Sequence, residues 1–101
     1  MTDYELKAKA ELFKEGAREV IKAGGSFGVF DLWAIFETEL RCIQVKETKF
    51  QLRFAKLIEQ IRIVRLPMFC TKWLWIWYSY RPKRVNKKLE NFKGWKKILI
   101  N

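Results

Sequence analysis

The chain has 101 residues, half of them apolar and 16% aromatic, with five Trp, enough to build one small domain spanning residues 1–101 around a real core. Its formal net charge of +10 is unevenly placed: residues 1–49 hold 8 basic and 9 acidic residues, whereas residues 50–101 hold 13 and 2. There is no His and no Cys-x-x-Cys spacing, which argues against zinc sites and His-dependent nucleophiles and leaves carboxylates, lysine and hard metal ions for any catalysis.

A basic half of this kind points to a polyanion partner, most simply nucleic acid held through its phosphates; a solvated basic surface serving solubility is the plain alternative. No N-terminal signal pattern is present, and the longest dense apolar run, residues 73–78, falls far short of the ~20 residues that a spanning helix needs, so no membrane association is expected. Cys42 and Cys70 sit singly in apolar stretches, as small core residues do in a reducing compartment; a prokaryotic cytoplasm, or that of a virus-infected host, fits.

The first element is a helix over about residues 3–15, opened by Thr2 with Glu5 three residues on in a capping-box pattern. Glu5, Ala8 and Leu12 fall on one face of it, so Glu5 is the acid directed with core residues; a capping or solvated glutamate is its plain reading. A short strand over residues 18–23 leads into a loop punctuated by Gly24, Gly25 and Gly28. A hairpin follows, with strands over 30–36 and 40–46 joined by the polar turn Glu37-Thr38-Glu39. Alternation sends Cys42, Gln44 and Lys46 to one face of the returning strand and Ile43 and Val45 to the other.

Residues 50–64 switch to a helical period, closed at or before Pro67. The run "KWLWIWYSY" is the strongest strand signal in the chain. Trp73, Trp75 and Trp77 form one row and Leu74, Ile76 and Tyr78 the other, as in a strand covered on both faces or buried partly in a partner. The Trp row is then either core under the helix of residues 50–64 or part of a homodimer contact, and less simply a base-stacking platform. "RPKRVNKK" makes a basic loop and "GWKKILIN" a last short strand. The order describes an α/β protein with a mixed central sheet flanked by helices.

Two polar side chains and an acid in a largely apolar hairpin need either each other or a ligand, because an unpartnered buried charge is costly. Asp31 paired with Lys46 on a polar strand face is one solution; a site is the other. A helix acid (Glu5), a glycine–serine loop, "FDLWAI", a short turn and "LRCIQVK" followed by a helix together resemble the PD-(D/E)XK nuclease superfamily, in particular its small archaeal Holliday junction resolvase-like branch, over roughly residues 4–64.

The resemblance implies a restriction-endonuclease-like fold with an αβββαβ core. It assigns Glu5 and Asp31 as acids of the site and Gln44 and Lys46 as the (D/E)-x-K pair, with Ser26 in the glycine-rich loop and Lys22 as the basic residue before it. Phe30 stands where the family has proline, and Gln44 where it has a charged ligand. A metal, Mg²⁺ or Mn²⁺, would rest on Glu5, Asp31, Gln44 and the carbonyl of Val45, with Lys46 beside the attacking water and the phosphate. The expected activity is metal-dependent, structure-specific cleavage of DNA by a homodimer. Lys22, Arg81, Lys83, Arg84, Lys87 and Lys88 would hold phosphates. Gln44 also leaves open a catalytically weak or inactive nucleic-acid-binding protein on the same scaffold; an RNA-binding protein rests on charge alone.

Overall fold

The computed structural model describes residues 1–23, 29–48, 54–80 and 92–101. Its elements run α1 (Asp3–Lys14), β1 (Glu19–Lys22), β2 (Leu32–Ile35), β3 (Leu40–Thr48), α2 (Ala55–Arg62), β4 (Cys70–Tyr80) and β5 (Phe92–Ile100), in the order read from the sequence. Among the described residues no helix is long and apolar enough to cross a membrane.

Local chemistry sets the ends of α1. Thr2 takes the N-cap position, its hydroxyl accepting from the Glu5 N–H at 3.3 Å, and Gly16 at φ 108° closes the helix. The Ala17 N–H returns to the Leu12 carbonyl at 3.0 Å, a Schellman closure whose left-handed residue favours glycine. Only half of the expected capping box forms. No bond from the Thr2 N–H to the Glu5 carboxylate exists among the described residues; that carboxylate is buried with Ala8 and Leu12 instead.

The five strands lie in sequence order. β1, β2 and β3 pair antiparallel through the hairpin, β3 and β4 pair in parallel across the α2 crossover, and β5 returns antiparallel to β4. The β2–β3 ladder ends at Leu32 opposite Ile43, while β3 continues to Thr48 along β4. A notch therefore opens beside the second half of β3.

The alternation of β3 divides the core. Ile43 and Val45 join Val20, Leu32, Ala34 and Trp75 under Ala8 and Leu12 of α1, whereas Cys42 joins Leu74, Ile76, Tyr78 and Ile100 under Ile61 of α2. This corrects the expected covering of the Trp row. Trp73 and Trp75 lie on the α1 face, and the Leu74–Ile76–Tyr78 row is the one beneath α2.

Trp95, facing Trp77 in the register, packs on both Trp75 and Trp77 at ring distances of 5.5 and 5.1 Å, and Lys7 lies 4.6 Å from the Trp77 ring centre. α2 is also shorter than its apolar period suggested: Phe54, Ile63 and Val64 lie outside it, although Phe54 and Val64 still pack on the core. β2 is shorter than residues 30–36, the Phe36 N–H turning to the Glu39 carbonyl at 2.9 Å, and β4 and β5 each begin two residues before the expected start.

The two cysteines are not isolated. Neighbouring strands bring them together as free thiols, and burial, then Cys70, pushes the Cys42 thiol up to about 11.

Candidate active site

Asp31 lies just before β2 where the ladder stops. Its N–H donates to the Ile43 carbonyl at 2.8 Å, and its carboxylate Oδ2 accepts from the Val45 N–H at 2.9 Å. The side chain thus occupies the place of the next backbone rung. In an extended strand a residue's N–H and C=O point to the same edge, so the Val45 carbonyl is directed into this notch as well. A backbone group carries no side-chain signature, and the Val45 N–H that anchors the acid had none in the sequence.

By the register Asp31 stands across from Gln44, on the sheet face shared by Gln44 and Lys46. Gln44 is buried and Lys46 half-buried. Among the described residues Asp31 and Lys46 do not form a salt bridge, which removes the simple pairing as the account of these residues. Glu5 reaches the same end of the sheet from α1 on the other face. It is 7% exposed, and its Oε2 is buried with no hydrogen-bond partner among the described residues.

The electrostatics join these groups. Burial raises the Asp31 pKa above the usual carboxylate range; the Val45 N–H works against this, the Glu5 charge adds to it, and Lys46 and then Lys22 oppose it. Glu5, Asp31, Lys46 and Lys22 therefore share one electrostatic neighbourhood. Lys22 ends β1 opposite Leu32 with its side chain exposed. Ser26, Arg81, Lys83, Arg84, Lys87 and Lys88 lie outside the described residues.

A divalent cation fits this donor set. Among the described residues no cluster of three or more His, Cys, Asp or Glu side chains suited to a metal is present, so two carboxylates are what the notch offers. Mg²⁺ commonly takes one or two carboxylates and keeps several waters, and neutral oxygens such as the Gln44 amide and Val45 carbonyl suit it. The buried, unpartnered Glu5 oxygen and the destabilised Asp31 carboxylate are both groups that a cation would satisfy.

No family model matches the chain, and no curated protein matches it. Among solved structures it is similar to the Holliday junction resolvase Hjc of the archaeal hyperthermophile Archaeoglobus fulgidus, at 20% identity and a TM-score of 0.63 over 95% of this chain and 69% of that one. The mixed five-stranded sheet with its two helices is thus a restriction-endonuclease-like fold, and a resolvase shares it.

Proposed function

We propose that the chain is a metal-dependent DNA endonuclease of the PD-(D/E)XK type, acting on branched DNA in the manner of a Holliday junction resolvase. The observation that carries this reading is the notch beside β3, where Asp31 and the buried, unpartnered Glu5 share one electrostatic neighbourhood with Lys46. Similarity in fold to a resolvase agrees with it, although a fold by itself hosts many functions.

Glu5, Asp31, the Gln44 amide and the Val45 carbonyl would hold Mg²⁺ or Mn²⁺. When bound, such an ion supplies charge neutralisation at the phosphate and a more acidic water. The Val45 N–H fixes the Asp31 carboxylate, so the acid needs no rearrangement before it acts. Lys46 on the same face offers a compact cation to the attacking oxygen and the phosphate. β4 ends and β5 begins at this end of the sheet, and the sequence joining them carries Arg81, Lys83, Arg84, Lys87 and Lys88; with Lys22 these would hold duplex arms by their phosphates, positioning without reading sequence. The protein acts as a homodimer, since paired cuts in two strands need two sites.

The test is cleavage of four-way, nicked and linear DNA with and without Mg²⁺. Wild type should cut branched DNA only with the metal. Asp31→Ala and Lys46→Ala should each lose about 10²–10³-fold or more in rate while binding DNA nearly as well, because affinity comes from many dispersed phosphate contacts. Cleavage at wild-type rate by both variants would remove the assigned site. Gln44 favours one second reading, a scaffold that binds DNA without turnover; metal-independent binding with no cutting by wild type on any of these substrates would select it.

A further inference from the structure

The covering of Trp75 by α1 leaves the exposed apolar surface elsewhere. At the hairpin end of the sheet Ile35, Phe36, Leu40 and Phe69 line an open cleft whose rim is the turn Glu37–Thr38–Glu39. Immediately beside it stands Met68, fully exposed, with Phe69 at 62% exposure and Ile35 at 38%. An apolar knob next to an apolar hole on one surface marks an interaction site rather than scattered exposure.

The knob is held in place. The Cys70 N–H donates to the Pro67 carbonyl at 2.9 Å, closing a tight turn with Met68 and Phe69 at its tip, and the Leu40 N–H donates to the Phe69 carbonyl at 3.0 Å, tying that turn to the start of β3. Knob and hole therefore keep a fixed relation, and little ordering entropy remains to be lost on docking. Their charges are opposite: Arg65, exposed, precedes the knob, while Glu37, exposed on the rim of the hole, makes within the chain only a surface pair with Arg18 at 3.3 Å.

We infer that two copies of this chain associate across a two-fold axis with Met68 of each copy seated in the Ile35–Phe36–Leu40–Phe69 cleft of the other and Arg65 facing Glu37 across the contact. A knob, a hole and two complementary charges on one patch satisfy the condition of an isologous interface, in which each residue meets its counterpart's partner twice. The inference rests on the homodimer reading above and names the surface that builds it. The contact lies at the end of the sheet opposite Asp31 and Lys46, so both sites stay open to substrate.

The experiment is sedimentation of the full chain at micromolar concentration. Wild type should give about twice the 12.2 kDa chain mass. Met68→Glu, Glu37→Arg and Arg65→Glu should each sediment as single chains with unchanged far-ultraviolet circular dichroism, since all three positions are exposed. An equimolar mixture of Glu37→Arg with Arg65→Glu should regain the double mass, because in the mixed dimer both cross-contacts are again complementary. A dimer that survives all three substitutions overturns this surface and leaves a dimer built elsewhere. A single-chain mass for wild type overturns surface and dimer together, while the cleavage assay reports separately on the nuclease. A mixture that stays monomeric overturns the Arg65–Glu37 pairing.

Discussion

At the C-terminal end of α1, Glu15 accepts from Arg41 at 2.9 Å and from Lys97 at 2.7 Å, Glu11 accepts from Lys97 at 3.1 Å, and Arg41 reaches Glu39 at 2.8 Å. The Arg41 guanidinium also lies 4.1 Å from the Phe36 ring centre and 5.0 Å from that of Trp73. At the N-terminal end of the same helix, Glu5 is buried with an oxygen that no hydrogen bond satisfies, beside Asp31. One helix thus carries a paired acidic cluster at one end and an unpaired one at the other. The pKa directions follow: burial alone would raise Glu15, but hydrogen bonds from Lys97 and then Arg41 outweigh it and hold the group low, whereas at Asp31 burial prevails. The first end is built for stability, the second for a cation.

This contrast gives opposite signs to substitutions at the two ends. Arg41→Ala removes a half-buried cation from two carboxylates and two rings, and should cost about 2–3 kcal/mol in urea unfolding, with a normal cleavage rate at a temperature where the variant is folded. A loss below about 0.5 kcal/mol would mean that the network is only a surface ornament. Asp31→Asn keeps an acceptor for the Val45 N–H and removes the disfavoured charge. It should raise the metal-free stability by about 1 kcal/mol at neutral pH while abolishing cleavage; a destabilised variant would mean that Asp31 is a structural acid.

The pH dependence follows the same division. Glu15, with its folded pKa depressed, contributes stability that is present above the unfolded value and lost as the pH falls through the folded one. Asp31, with its folded pKa raised, imposes a cost that grows as the pH rises through that value and vanishes in acid. Asp31→Asn should therefore flatten the metal-free stability curve on the side above the usual carboxylate range and leave its acid limb unchanged, as pH-jump denaturation would read.

A smaller effect separates ligand from bystander at Gln44. If its amide oxygen meets the metal, Gln44→Glu should lower the Mg²⁺ concentration for half-maximal cleavage by roughly tenfold, about 1.4 kcal/mol. An unchanged metal requirement would show that the buried Gln44 only packs against its neighbours.

Much of the notch was legible in the sequence because it rests on periodicity. The i, i+3, i+7 spacing put Glu5 with Ala8 and Leu12, and the period of two put Gln44 and Lys46 opposite Ile43 and Val45, as the two core clusters bear out. Periodicity divides a strand into rows without saying which helix covers which row. For a strand apolar on both faces, such as β4, that choice comes from the crossover, and the Trp row was assigned to the wrong helix. The ends of α2 were misread because Phe54 and Val64 continue the apolar pattern while packing from non-helical backbone. The hydrogen bond from the Val45 N–H to Asp31, and the pairing of Arg41 with Glu15, depend on long-range register that no local pattern encodes.

The central claim, that Glu5 and Asp31 form one cation site, is tested most directly by titrating the metal-free protein with Mn²⁺ and counting bound ions by electron paramagnetic resonance, in the absence of DNA. Wild type should bind Mn²⁺, and Glu5→Gln and Asp31→Asn should each weaken that binding by about tenfold or more, while Glu15→Gln at the paired end leaves it unchanged. Equal binding by wild type, Glu5→Gln and Asp31→Asn would contradict the claim.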